Sequence, residues 1–400
     1  MDTVELRVEA VVAGGAGLAR DADGRVVFVT GGLPGEVVRA RRREQRRDFA
    51  RAEVVEVLEP SPSRVGPPCP HLAQGCGGCS WQHVAPAAQP ALKAGIVADA
   101  LRRTAGVEVP VETGPALPAT GHRTTLRGVG AGGRFALRRL HGHDAVVLDR
   151  CLVAHPLVDE LVRDGRFPDG EVVLRAGART GEQLVVVDDP AGARLPEGVR
   201  VVGASELAAG RRAWFHEELA GRTWRVSARS FFQARPDGAE ALVDAVRDVV
   251  ADRLRPGVRL VDLYAGVGLF AGTVGAGARV VAVESSPSAV ADARVNLADG
   301  EARIVRGDVA RWHPARADVV VADPPRAGLG RPGVRVVGAT GADRLALVAC
   351  DAASLARDAR LLAEDGWCLA GVRLVDMFPH TPHIEAVARF DRPGRDTAAG

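Results

Sequence analysis

Apolar positions along this chain follow three different patterns, and each predicts a different unit. In residues 1–60 the short runs 4–12, 25–29, 36–41 and 52–58 alternate with polar positions or are β-branched, with glycine turns between them. Short strands at that spacing predict a small antiparallel barrel of the OB kind. Residues from about 110 to 228 are rich in valine and glycine, which predicts a β-rich middle unit. From 229 onward, apolar runs at 258–263, 279–283, 319–322 and 345–349 alternate with helix-like stretches, the signature of an α/β unit with a parallel sheet. Two helices are expected outside that alternation: 86–103, with Leu92, Ile96, Val97 and Leu101 at helical spacing, and 239–254, capped by Asp237.

The organising stretch is 258–284, which reads as strand, glycine loop, helix and a second strand ending at Glu284. Glycines such as Gly266 let the backbone approach a ligand closely, and an acid at the tip of the second strand can accept hydrogen bonds from two ribose hydroxyls. A nucleoside ligand is implied. The loop Asp262-Leu-Tyr-Ala-Gly-Val-Gly lacks the third glycine of dinucleotide enzymes and the pyrophosphate-facing helix start that it creates. It is similar to the loop of Rossmann-like methyltransferases that use S-adenosyl-L-methionine. Asp308 closes a third strand where an acid can reach an adenine amino group, and Asp323 closes a fourth.

The expected domains are 1–60, 61–228 and 229–400, with helix 86–103 packing on the last of them. A proline- and serine-rich stretch, 59–68, marks the first linker. The chain has 400 residues, 46% hydrophobic and 26% charged, enough for two or three ordinary globular cores. Its start has no cationic block followed by an apolar one, and the longest uncharged run near the centre, 263–278, is the glycine loop and its helix. A cytoplasmic protein without a membrane span is therefore expected, and no obligatory protein partner is implied.

The net charge of +2 hides a bias, because Lys93 is the only lysine and arginine supplies the rest. Arginine's planar fork suits phosphate, although a GC-rich genome also favours arginine codons. Arg39, Arg41, Arg42, Arg43, Arg46, Arg47 and Arg51 fall in one hairpin with Glu44 and Asp48 against them, which reads as an electrostatic footprint for RNA on the barrel.

Cys69, Cys76 and Cys79 lie within eleven residues and are flanked by glycines, with a fourth thiol at Cys151. Thiolates in this pattern fit ligands converging on one metal centre, either structural zinc or an iron–sulfur cluster. His71, His83 and His155 read as polar contacts and Cys368 as core. Cys350, at the carboxyl end of a parallel strand beside the nucleoside cradle, is placed as a nucleophile. Glu385, in the last loop, reads as a general base; Pro382 breaks any helical face that would pair His380 with His383 on a metal. Asp-Pro-Pro at 323–325 stiffens a turn and fixes its carboxylate at the sheet edge.

Together VDLYAGVGLF, VVADPPRAGL, ALVACDAASLARD and VDMFPHTPHIEAV resemble the bacterial RNA 5-methyluridine methyltransferases over nearly the whole chain. The resemblance implies a TRAM barrel, a Rossmann-like methyltransferase domain, and a β-rich middle domain carrying a four-iron, four-sulfur cluster on Cys69, Cys76, Cys79 and Cys151. It implies S-adenosyl-L-methionine held by Gln233, Tyr264, Glu284 and Asp323, with Cys350 as nucleophile and Glu385 as proton acceptor on a uridine of tRNA or rRNA. Three positions depart from the family's pattern. Six residues separate Cys69 from Cys76 where five are usual, Ala352 replaces the proline two after the nucleophile, and Leu269 replaces an asparagine. Two other readings are an iron–sulfur RNA-binding or electron-transfer protein, and a cytosine carbon 5 methyltransferase. The latter typically carries Pro-Cys, whereas Ala349 precedes Cys350 here.

Overall fold

The computed structural model describes residues 3–140 and 142–392; the start of the chain at residues 1–2 and the last eight positions of the third expected domain lie outside the described residues. No helix among the described residues is long and apolar enough to cross a membrane.

Five strands, β1 (Thr3–Val11), β2 (Gly17–Arg20), β3 (Val26–Thr30), β4 (Val37–Gln45) and β5 (Phe49–Glu59), close into a barrel in the order β1-β2-β3-β5-β4. Sequence patterning missed β2, whose four residues are too few to alternate visibly. Alternate residues such as Leu6, Val8, Val27, Val29 and Val38 fill the interior. The stretch after the barrel is pinned rather than a free linker. Buried Glu36 accepts hydrogen bonds from the backbone N–H of Ser61 and from the Arg64 guanidinium, both in that stretch. Val65 N–H also donates to the His83 carbonyl.

Helix α1 (Gln89–Ala105) starts with proline in its first turn and ends on left-handed Gly106. The β6 strand (Val111–Thr113) follows it. The middle unit is a six-stranded sheet in the order β12-β11-β10-β7-β8-β9, built from β7 (Thr125–Ala131), β8 (Arg134–Arg138), β9 (Ala145–Val147), β10 (Gly170–Ala176), β11 (Gln183–Val187) and β12 (Arg200–Gly203). Helix α2 (Pro156–Asp164) covers this sheet around Phe135, Leu161 and Phe167. A short helix α3 (Ala204–Ala208) and the hairpin β13 (Trp214–Leu219) and β14 (Arg222–Ser227) complete it.

In the C-terminal unit α4 (Pro236–Val250) begins at Pro236, with Arg235 as its N-cap. Asp237, expected as the cap, sits instead in the first turn and pairs with Arg235 at 2.7 Å, because Pro236 starts the helix two residues earlier than a cap at Asp237 would. There follow β15 (Arg259–Leu263), α5 (Leu269–Thr273), β16 (Arg279–Glu284), α6 (Pro287–Asn296), β17 (Ala302–Arg306), β18 (Val319–Ala322), α7 (Gly330–Ala339), β19 (Arg344–Ala349), α8 (Ala352–Glu364), β20 (Cys368–Leu374) and β21 (Ala386–Asp391). The sheet order is β17-β16-β15-β18-β19-β21-β20-β6.

Strands β15 to β19 run parallel, while β21 is antiparallel to both neighbours. β6 adds to the far edge beside β20, and α1 packs on α8, so residues 89–113 belong physically to this sheet. Burying Ile96, Val97 and Leu101 of α1 contributes roughly 2 kcal/mol each. Cys368 is exposed, not core: β6 pairs only with residues 372–374, which leaves the Cys368 end of β20 uncovered.

Candidate active site

The carboxyl ends of the parallel strands converge on one sheet edge. After β15 the chain turns through Tyr264 at φ +62° and Gly266 at φ +57° into Gly268 at φ +96°, which caps α5. A side chain at Gly268 would strike Leu297 at 2.9 Å, so glycine is required there for space as well as for backbone angle. Glu284, at the tip of β16, accepts from the N–H of Gly266 at 2.9 Å and of Ser286 at 2.6 Å. It therefore staples the glycine loop to the next turn. Asp262, to which sequence reasoning gave no role, is fully buried beneath the loop and accepts from Ala271 N–H at 2.9 Å. Burial pushes its carboxyl up to about 8.

Asp323 follows β18 and Cys350 follows β19. Because β21 runs antiparallel to β19 and Ala349 faces Ala386, Glu385 arrives beside Cys350 from the opposite chain direction. That register is what brings the nucleophile and base candidates together. A cavity of about 1090 Å³ opens on them and is lined by Gln233, Tyr264, Gly266, Glu284, Asp308, Asp323, Cys350 and Glu385, and also by Cys69, Cys76, Cys79 and Cys151. All twelve expected site residues thus share one cavity wall. Asp308 is its most peripheral acid, exposed and capping a short turn through the N–H of Ala310.

The electrostatics at this edge are dominated by burial. It pushes the Cys350 thiol up to about 11, with Glu385 and Asp323 raising it further and Arg326 opposing them. Burial, then Asp323, lifts Glu385 well above the ordinary carboxylate range, and burial pushes Asp323 up to about 7. With both acids raised, at least one favours its protonated form. Arg326, the residue after Asp-Pro-Pro, supplies a counter-charge and donates to Nδ1 of His383 at 3.4 Å. Burial and Arg326 both hold His383 below its ordinary value, so its ring is a neutral acceptor.

Sequence reasoning missed two further features of this wall. Phe231 is 69% exposed while lining the cavity, a flat apolar face left uncovered. The loop bearing Phe231 and Gln233 is fixed by buried Arg175, which donates to the carbonyls of Ser227, Ala228 and Ser230 and lies over Phe215. The sequence signal for Phe231 was two adjacent phenylalanines beside a charged helix entry, where only one could be buried.

The cysteine segment docks against the β8–β9 side of the middle sheet, with Cys76 bridging Arg139. His71 holds Cys69 through Nδ1 at 3.7 Å and accepts from Asp149 N–H at 3.3 Å, and His155 caps α2, so both are polar contacts. All six cysteines are free. Among the described residues no three His, Cys, Asp or Glu side chains are grouped as ligands of a single metal ion. The four thiols are nonetheless close enough to act on one another: burial and then Cys151 push Cys79 up to about 12, and burial together with Cys76 and Cys69 raises Cys151. Burial lowers neighbouring Arg123, and Cys79 and Cys151 oppose that shift. Four half-buried thiols thus line one side of the cavity beside Arg123.

An open, mostly parallel sheet with a glycine cradle, an acid at the tip of the second strand and a thiol–acid pair at one edge is the framework of a Rossmann-like methyltransferase. Comparison with known proteins places it within that class. A TRAM domain matches residues 2–55. An uncharacterized RNA methyltransferase of Streptomyces coelicolor is 39% identical over 96% of this chain and 92% of its own length. The 23S rRNA (uracil(1939)-C(5))-methyltransferase RlmD of Alkalilimnicola ehrlichii is 31% identical over 98% and 97%. In fold, the chain is similar to the Pyrococcus abyssi tRNA (uracil-54, C5)-methyltransferase solved with S-adenosyl-L-homocysteine, with a TM-score of 0.72 at 22% identity, over 96% of this chain and 99% of that one. The chain belongs to the TRAM-domain uracil-C5 RNA methyltransferase family, and it is an RNA methyltransferase using S-adenosyl-L-methionine.

Proposed function

We propose that this chain forms 5-methyluridine at one uridine of tRNA or rRNA through a covalent adduct on Cys350. The observation that carries the reading is the β19–β21 register, which sets Cys350 and Glu385 side by side at the mouth of the donor cradle. Relatives named for uracil carbon 5 of 23S rRNA and of tRNA support the chemistry and leave both RNA classes open.

Carbon 5 of uracil is too weak a nucleophile to take a methyl group unaided. Cys350, as thiolate, adds to carbon 6 and shifts electron density onto carbon 5 as an enolate. S-adenosyl-L-methionine in the cradle supplies the methyl group as a positively charged sulfonium. Gln233, Tyr264, Gly266, Glu284, Asp308 and Asp323 would hold it, and its charge favours the ionised forms of Cys350, Asp323 and Glu385. Carbon 5 bonds to the methyl carbon as the carbon–sulfur bond breaks and S-adenosyl-L-homocysteine is left; Glu385 then removes the carbon 5 proton, and Cys350 leaves carbon 6 as the ring double bond re-forms. Burial makes the Glu385 carboxylate a stronger base once it is ionised. A stacked uridine must be extruded to reach this edge, and Phe231 offers it a flat face. Cys69, Cys76, Cys79 and Cys151 would hold a four-iron, four-sulfur cluster, which ties the segment before α1 to the middle sheet.

Incubating the protein with labelled donor and transcribed tRNA and rRNA tests this. Cys350→Ala should lose methyl transfer by roughly a thousandfold or more and form no covalent RNA adduct, while Glu385→Gln should trap one. Normal turnover by Cys350→Ala would overturn the reading. Anaerobic purification should give brown protein with iron and sulfide; stoichiometric zinc would overturn the cluster.

A further inference from the structure

The loop 376–383 delivers Glu385, and its fastenings come from α1 and from the segment that precedes α1 in the chain. Lys93 Nζ, on α1, donates to Asp376 at 2.6 Å and to the Phe378 carbonyl at 2.8 Å. His380, buried at φ +63°, donates its N–H to Gln89 Oε1 at 2.6 Å. Its carbonyl accepts from Trp81 N–H at 2.8 Å. Trp81 Nε1 in turn donates to the carbonyl of Gly15, in the β1–β2 turn of the barrel, at 3.1 Å.

The barrel turn is pressed onto both. A Cβ built on Gly15 would lie 2.5 Å from Trp81 Nε1 and 2.6 Å from Pro382 Cβ. Trp81 is 2% exposed and shares one apolar core with Leu33 of the barrel and Ile384, the residue before Glu385. One residue therefore touches both, its indole the barrel and its backbone N–H the loop of the candidate base. A loop with a non-glycine residue in the left-handed region holds its shape only while its surroundings enforce it.

We propose that Trp81 is the positioning residue through which the seating of the barrel sets Glu385, so that proton removal from carbon 5 depends on the contact of Gly15, Trp81 and Pro382. The proposal rests on the adduct mechanism above. If the contact slackens, Glu385 is displaced while Cys350 and the donor cradle, held by other strands, are not. Adduct formation and methyl transfer then proceed and resolution of the adduct lags.

Trp81→Phe keeps the ring and loses the bond to Gly15, and Gly15→Ala opens the same contact from the barrel side. In full-length protein each should leave S-adenosyl-L-homocysteine and RNA affinity within about twofold. Each should lower kcat by about tenfold, the scale of a small misplacement of a reacting group, with methylated covalent adduct building up at steady state. General loosening would depress adduct formation and resolution together, so the accumulated adduct separates positioning from damage; should Trp81→Phe fold poorly, Gly15→Ala reads the same contact. Glu385→Gln in the same assay fixes what a trapped adduct looks like. Unchanged kcat and adduct level in Trp81→Phe and Gly15→Ala beside a trapped Glu385→Gln overturns the proposal alone, as does lost RNA affinity at unchanged kcat. Free turnover by Glu385→Gln overturns the adduct reading and the proposal with it.

Discussion

The barrel hairpin and the cavity wall both carry arginines, and they differ in what those arginines already hold. On the hairpin, Arg39 pairs with Glu56, Arg41 and Arg43 with Glu53, Arg46 and Arg51 with Glu44, and Arg42 with Asp21. Arg51 also lies over the rings of Phe28 and Phe49. Sequence counting set only Glu44 and Asp48 against seven arginines, because Glu53 and Glu56 face the cluster from the paired strand and Asp21 from the β2–β3 turn. Around the cavity, exposed Arg127, Arg150, Arg229 and Arg326 have no carboxylate partner among the described residues. A phosphate meeting the hairpin must displace an existing partner; one meeting the cavity wall need not. A dense run of like charge in the sequence thus overstates the charge that folding leaves without a partner.

The comparison can be sharpened first at the thiol, which has one cation, Arg326, against two acids. With Cys350 pushed up to about 11, its thiolate fraction rises with pH below that value. Alkylation at Cys350, followed by peptide mass spectrometry in ligand-free protein, should therefore accelerate by about tenfold per pH unit from neutrality towards pH 10. A flat profile would show that the thiol is already ionised. Second, Arg326→Ala removes the charge that opposes this rise, and should cut kcat/KM by roughly a hundredfold while slowing that alkylation further. Third and smallest, Arg127→Ala with Arg150→Ala should weaken RNA binding by about tenfold and lower the salt slope by about 0.7 per arginine, whereas Arg43→Ala with Arg46→Ala should stay within about twofold. A larger loss from the hairpin pair than from the cavity pair would break the comparison.

The parallel strands and the glycine loop were legible because strands buried on both faces leave continuous apolar runs, as at 258–263 and 345–349. The position of Cys350 was legible for the same reason, at the end of such a run, and that of Glu385 from its place just before the last strand. What sequence spacing could not convey was register. That Ala349 opposes Ala386 is a fact about pairing across forty residues. Trp81 and Lys93 were illegible because their partners lie far along the chain, at Gly15 and at residues 376–380. Cys368 was misread because its apolar neighbours suggested a covered strand, when cover depended on how far β6 reaches. Asp237 was misread because a proline outranked it as a helix starter.

β6 has a further consequence for how this chain can be cut. Its three residues, delivered by α1, occupy ladder positions that β20 would otherwise present bare to solvent, and α1 covers apolar surface on α8. A fragment beginning at residue 229 would carry the whole chemical edge and an unshielded strand beside it, an invitation to stack on its own copies. Division of labour among the three units is therefore not the same as independence, because the amino-terminal half covers an edge that the half carrying the chemistry would otherwise leave open.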